Sequence, residues 1–239
     1  MEKGMVAESI IKSLTEKILE EPEKNVGLLY SGGLDSSIIG HILSMHFNVT
    51  AYTVGIDGSH DIKAALENSK YINFKRIKTI RIDEKDVMDA RDFLISIFPG
   101  LGFRELSIKI PFYLGLKNAD EKTVYVGQGA DELFGGYKKY IENPKLMKKD
   151  VIKMMIYSIP IEKKIAEILG KMLKYPYVSK NILEISHNIP LNYKIDGNTR
   201  KVILREVARS LDLPESIYNM EKKAMQYGSG VTRVLRKIE

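Results

Sequence analysis

The chain reads as an α/β protein built on a parallel sheet sandwiched by helices, with a mainly helical C-terminal part. Two observations predict this. Short apolar runs alternate with helix-length amphipathic segments through the first 143 residues, the spacing of βαβ units. Two glycine-rich stretches, SGGLDSS and GQGADELFGGY, each follow directly on one of those runs, and ligands of such sheets sit at the strands' carboxyl ends.

The elements follow in order. Val6, Ile10, Ile11, Leu14, Ile18 and Leu19 recur at helical spacing up to Pro22. A buried strand is expected over Val26 to Tyr30, and Ile38, Ile39, Ile42 and Leu43 return to helical period. A strand near Val49 to Val54, a helix near Ile62 to Tyr71 and a strand through RIKTIRI come next. Helices near Glu84 to Phe98 and Glu105 to Asn118 precede a last strand, TVYVG. From about Lys145 the pattern is helical and predicts no strand, which divides the chain into an α/β core, 1–143, and a helical part, 144–239, that completes the substrate site.

The 239 residues are 44% hydrophobic and 28% charged, composition for one sizeable core. No run of about 18 apolar residues exists and the N-terminus lacks a signal-peptide core, so a cytoplasmic protein without a membrane partner is expected. Net charge is +6, read as a lysine-rich solvated surface, with no nucleic-acid partner expected because no arginine-rich or aromatic RNA-type signature accompanies it. The absence of cysteine removes disulfides, thiolate metal sites and cysteine nucleophiles. His41, His46, His60 and His187 share no metal-ligand spacing, Tyr137, Tyr140, Tyr175 and Tyr177 read as core, and Met154 and Met155 as core fillers.

The first glycine stretch carries the chemistry. Gly32 and Gly33 permit a tight turn that exposes successive backbone N–H groups as an anion nest, and the helix beginning near Asp35 adds its unpaired N–H groups. Ser31, Ser36 and Ser37 add hydroxyl donors. A carboxylate beside bound phosphate makes sense as a magnesium ligand, so Asp35 is a candidate for that role; the alternative is a helix N-cap on a plain strand-to-helix turn. In the second stretch Asp131 and Glu132 bring carboxylates to the same sheet edge, or form an acidic first helical turn. Neither a Walker loop nor a dinucleotide fingerprint is present.

SGGLDSS after an apolar strand resembles the pyrophosphatase loop of the N-type ATP pyrophosphatases, and the two motifs in this order resemble the synthetase domain of the asparagine synthetases and their β-lactam synthetase relatives. TVGIDGSHDIKAAL, YKIDGNTRKVILRE and EKKAMQYGSG echo further family segments, so the likeness runs from Val26 to Lys237. It implies an adenine nucleotide alpha hydrolase-like fold and ATP with Mg2+. Ser31, Gly32, Gly33, Asp35 and Ser36 would hold pyrophosphate and magnesium, Asp131 would be the second metal ligand, and Leu29, Val54 and Gly127 would meet the adenosine. Lys223, or Lys222 in the alternative register, would stabilise transition-state charge. The implied reaction activates a carboxylate by attack on the α-phosphate, then passes it to ammonia or an amine, with AMP and pyrophosphate as products. A homodimer is expected on resemblance alone.

The sequence departs from the family at several positions. Gln128 stands where asparagine synthetases usually have glutamate, and an amide can orient an amine but cannot take its proton. The chain begins Met1, Glu2, Lys3, without the cysteine of the glutamine-hydrolysing domain, so nitrogen is expected from free ammonia, another amine or a separate glutamine amidotransferase. In LKYPYVSKNIL, Lys174 and Ser179 replace the usual arginine and aspartate. Two other readings compete with the amide ligase: a tRNA-modifying ATP pyrophosphatase, and a non-catalytic adenine-nucleotide-binding regulatory subunit.

Overall fold

The computed structural model describes residues 2–219 and 228–238. Its centre is a five-stranded parallel sheet in the order β3-β2-β1-β4-β5. The strands are β1 (Asn25–Leu29), β2 (Asn48–Gly55), β3 (Arg76–Arg81), β4 (Thr123–Tyr125) and β5 (Met172–Lys174). Val26 and Leu28 of β1 and Val124 of β4 are fully buried, as expected of strands covered on both faces.

Helices fill the crossovers that parallel pairing requires. On one face lie α1 (Lys3–Leu19), which opens the chain, and α2 (Leu34–His46), which joins β1 to β2. The other face is covered by α4 (Glu84–Ile97), α5 (Phe103–Lys117) and the last helix, Val231–Ile238, while α3 (His60–Asn68) joins β2 to β3. The helices α6 (Ala130–Phe134), α7 (Lys139–Glu142), α8 (Leu146–Lys153) and α9 (Ile159–Ile168) run from β4 to β5, and α10 (Lys180–Asn188), α11 (Leu191–Lys194), α12 (Val202–Ser210) and α13 (Glu215–Tyr218) follow β5. Among the described residues no helix is long and apolar enough to cross a membrane.

The chain moves outward from β1 through β2 to β3, then jumps back to β4 on the other side of β1. Strand order therefore reverses between β1 and β4, and a crevice opens outside their carboxyl ends. Both glycine-rich motifs leave the sheet at that crevice, SGGLDSS from β1 and GQGADELFGGY from β4.

Two features differ from the sequence reading. Beyond residue 145 a strand does exist: β5 joins β4 through Met172 N–H to the Lys122 carbonyl at 2.8 Å and Val126 N–H to the Lys174 carbonyl at 3.1 Å, and a short hairpin pairs Ile195–Asp196 with Thr199–Arg200. Three residues carry no period, so their extended form depends on tertiary pairing. Met154 is buried but Met155 is 42% exposed, because the chain widens into a π turn at Met154–Ser158 that shifts the helical phase.

The helix α1 packs on α2 and α12 through Val6, Ala7, Ile10, Leu14 and Ile18. Ile10 is completely buried. Its replacement by alanine is expected to cost about 2–5 kcal/mol, seen as a lower urea midpoint at unchanged slope; an unaltered midpoint would mean that α1 is not part of the cooperative core.

Candidate functional site

The loop after β1 is held by its own backbone and by α3. Gly32 has φ +73, and a Cβ there would overlap the Ala64 backbone, so the position needs glycine both for its conformation and for the close approach. The buried Asn68 side chain at the end of α3 donates from Nδ2 to the Gly32 carbonyl at 2.8 Å. Ser36 Oγ lies 3.3 Å from both the Ser31 N–H and Ser31 Oγ and donates to the Gly33 carbonyl at 3.2 Å. These bonds fold the loop around the N-terminus of α2, whose unpaired N–H groups favour an anion.

Asp35 does not cap α2. Gly33 occupies the N-cap position without a side-chain cap, and the buried Asp35 carboxylate instead receives the Lys201 ammonium, Nζ lying 2.7 and 2.6 Å from Oδ1 and Oδ2. The same Nζ is 2.5 Å from Asp131 Oδ1 in the first turn of α6. Lys201 is 5% exposed and takes the left-handed conformation, φ 56 and ψ 37, at the N-cap of α12. Gly136 closes the arrangement, since a Cβ there would overlap both the Asp131 carboxylate and the Lys201 side chain. One ammonium nitrogen therefore marks a position at which a cation is served from both loops. Among the described residues no group of three or more His, Asp and Glu side chains gathers as a metal cluster; magnesium does not need one, as it commonly takes one or two carboxylates and completes its shell with phosphate and water.

Two tyrosines complete the surroundings. The buried Tyr177 hydroxyl donates to the Asp35 carbonyl at 3.2 Å, and Tyr137 donates to Glu132 Oε1 at 2.8 Å. Burial first, then the charges of Asp35 and Asp131, raise the Tyr177 hydroxyl well above its ordinary pKa. Burial, followed by Asp131 and Glu132, does the same for Tyr137. Both remain protonated donors.

A cavity of about 200 Å3 extends from this position over the sheet edge. Leu29, Ser31, Asp35, Ser36, Val54, Gly127, Gln128 and Asp131 all line it, so the structure brings these sequence-derived candidates to one place, with Gly32 and Gly33 shaping the loop beneath. Phe112 and Pro111 of α5 add apolar lining beside Leu29 and Val54. Lys222 and Lys223 lie outside the described residues.

Sequence reasoning missed Lys201, although the segment YKIDGNTRKVILRE around it had been singled out. It also missed Tyr137 as a lining residue, and Arg104, Asp61 and Glu162, which line the same cavity. The departures in LKYPYVSKNIL do not line it: Lys174 pairs with the buried Glu21 at 3.0 Å, and Ser179 caps α10, accepting from the Ile182 N–H.

The family model for asparagine synthase matches residues 13–171 and 144–238. A putative glutamine-hydrolyzing asparagine synthetase of Methanocaldococcus jannaschii is 30% identical over 257 residues, covering 89% of this chain and 47% of that protein. Asparagine synthetase B of Escherichia coli is 28% identical, covering 85% and 41%. The chain spans less than half the length of these curated relatives. Among solved structures, an NMN synthetase of Francisella tularensis is similar at TM-score 0.49 and 13% identity, over 95% of this chain and 78% of that one.

Two outcomes are expected. Lys201→Met removes the buried cation shared by Asp35 and Asp131, which should cost about 3–5 kcal/mol in urea unfolding, and millimolar Mg2+ should restore part of the loss; stability equal to wild type would contradict the shared-cation arrangement. Gly32→Ala should lower stability by about 1–3 kcal/mol through its positive φ, or more through the overlap with α3, and should weaken nucleotide binding measured by calorimetry.

Proposed function

The chain belongs to the asparagine synthase family, and on that premise we propose that its site is that of an ATP-dependent, amide-forming ligase that adenylates a carboxylate. The observation that carries the reading is the convergence of Asp35 and Asp131 on one cation position beside the Ser31–Ser36 nest, in a cavity that Leu29, Val54 and Phe112 also line.

The nest and the N-terminus of α2 hold the β- and γ-phosphates, while Leu29, Val54 and Phe112 pack against the adenine. Asp35 and Asp131 are the residues that would hold magnesium, which when bound neutralises phosphate charge and favours departure of pyrophosphate. The substrate carboxylate attacks the α-phosphate, the bond to the β-phosphate breaks, and pyrophosphate leaves. An amine then attacks the acyl carbon and AMP leaves. Lys201 moves from the carboxylates to the phosphate oxygens, so positive charge stays beside the reacting phosphorus throughout. Such preorganised charge accounts for most of the rate in reactions of this kind. Gln128 orients the incoming amine through its side-chain oxygen but takes no proton from it.

Nitrogen comes from free ammonia, from an amine or from a separate amidotransferase, in a cytoplasmic setting. Residues on both sides of position 143 build the site: the strand ends come from 1–143, Lys201 and Glu162 from 144–239.

The test is the phosphate product. Purified protein with ATP, Mg2+, L-aspartate and ammonium, followed by the other amino acids, is expected to release AMP and pyrophosphate in a carboxylate-dependent manner. Asp35→Asn should lower that rate at least about a hundredfold without unfolding the protein. Bound ATP that is never cleaved under any acceptor would replace the ligase with a nucleotide-binding regulatory subunit, and full turnover in the Asp35→Asn variant would refute the metal assignment.

A further inference from the structure

Gly32 and Gly33 share a peptide unit flanked by two residues without a Cβ, so no side chain of the loop itself settles which way that unit faces. A group from outside the loop settles it. Asn68, the last residue of α3 and 3% exposed, donates from Nδ2 to the Gly32 carbonyl at 2.8 Å. The same helix abuts the loop closely, because a Cβ on Gly32 would overlap the backbone of Ala64 and Ala65.

A trans peptide is planar, and its C=O and N–H point to opposite sides. Holding the Gly32 carbonyl toward α3 therefore sends the Gly33 N–H the other way. There it meets Ser31 Oγ at 3.3 Å, longer than the usual N–H···O bond of about 2.9–3.0 Å, and Ser31 lines the cavity. The donor is loosely engaged on the side from which an anion enters. With the peptide reversed, the Gly32 carbonyl oxygen would occupy that side, and an acceptor there repels a phosphate oxygen. An amide nitrogen at position 68 favours the donating orientation; a carboxylate, which only accepts, would favour the reversed one.

We propose that Asn68 is a positioning residue: by holding the Gly32 carbonyl it keeps the Gly33 N–H aimed into the nest, and so sets the affinity of the site for the pyrophosphate part of the nucleotide. It acts through the backbone from behind the loop. The inference rests on the ligase reading in taking phosphate as the anion of the nest.

The experiment measures binding by calorimetry on wild type, Asn68→Leu and Asn68→Asp, with inorganic pyrophosphate, ATP and adenosine as separate probes in the presence of Mg2+. Leucine fills nearly the same space and donates nothing, whereas aspartate keeps the shape and replaces the donor with an acceptor. Both variants are expected to bind pyrophosphate and ATP about tenfold more weakly or worse, with adenosine affinity unchanged. In wild type, the Gly33 amide proton followed by NMR should move downfield as pyrophosphate is added, as its bond passes from Ser31 Oγ to a charged oxygen; this readout needs no variant to fold. Unchanged affinities, an equal loss of all three ligands, or a loss confined to Asn68→Asp, which is a charge acting through space, overturn the proposal. So does a Gly33 amide that pyrophosphate leaves in place. AMP formation by wild type, with variants that bind as wild type does, removes the positioning role and keeps the ligase. Selective loss of pyrophosphate binding in both variants, with no AMP from wild type under any acceptor, removes the ligase and keeps the positioning role.

Discussion

The arrangement depends on one buried cation. Lys201 reaches Asp35 and Asp131 at 2.5–2.7 Å, and these two carboxylates belong to different loops that leave different strands. A buried ion network of this kind adds little net stability compared with apolar packing. Its effect is geometric: it brings the first turn of α2, the first turn of α6 and the start of α12 to a common point. The left-handed backbone of Lys201 and the bare Gly136 are local costs accepted for that closure.

The sheet makes the closure reachable. Because the strand order reverses between β1 and β4, the loops carrying Asp35 and Asp131 leave neighbouring strands and diverge around a crevice. The helix α1, buried through Ile10, Leu14 and Ile18, packs on both α2 and α12 and so holds the two ends of the Asp35–Lys201 contact in register. The hydrophobic core and the polar site are connected through these same helices, so a core substitution in α1 reaches the charge geometry at the sheet edge.

Much of this was legible in the sequence for definable reasons. The strands β1 to β4 and helices α1 to α5 announce themselves by period and by glycine punctuation, and the two motifs mark the crevice because each sets glycines and carboxylates directly after an apolar strand. The strand β5 was not legible, since three residues have no period and their extended form is imposed by β4. Met155 was misread because the π turn changes which side faces the core. Lys201 escaped because a lysine 166 positions from Asp35 looks like any charged residue at a helix start; its burial and its φ are tertiary facts. Lys109 and Glu162 likewise read as ordinary charges on separate helices, 53 positions apart. The changes at Lys174 and Ser179 looked like losses at the site, but their side chains serve Glu21 and the α10 cap.

The central claim is that Asp35 and Asp131 form a single cation position which Lys201 fills and a metal–nucleotide complex takes over. The most direct measurement is anomalous diffraction from crystals grown with Mn2+ and a non-hydrolysable ATP analogue. The account predicts one manganese peak coordinated by Asp35 and Asp131, with Lys201 Nζ moved onto phosphate oxygens. A manganese bound elsewhere, with Lys201 still bridging both carboxylates beside bound nucleotide, would contradict it.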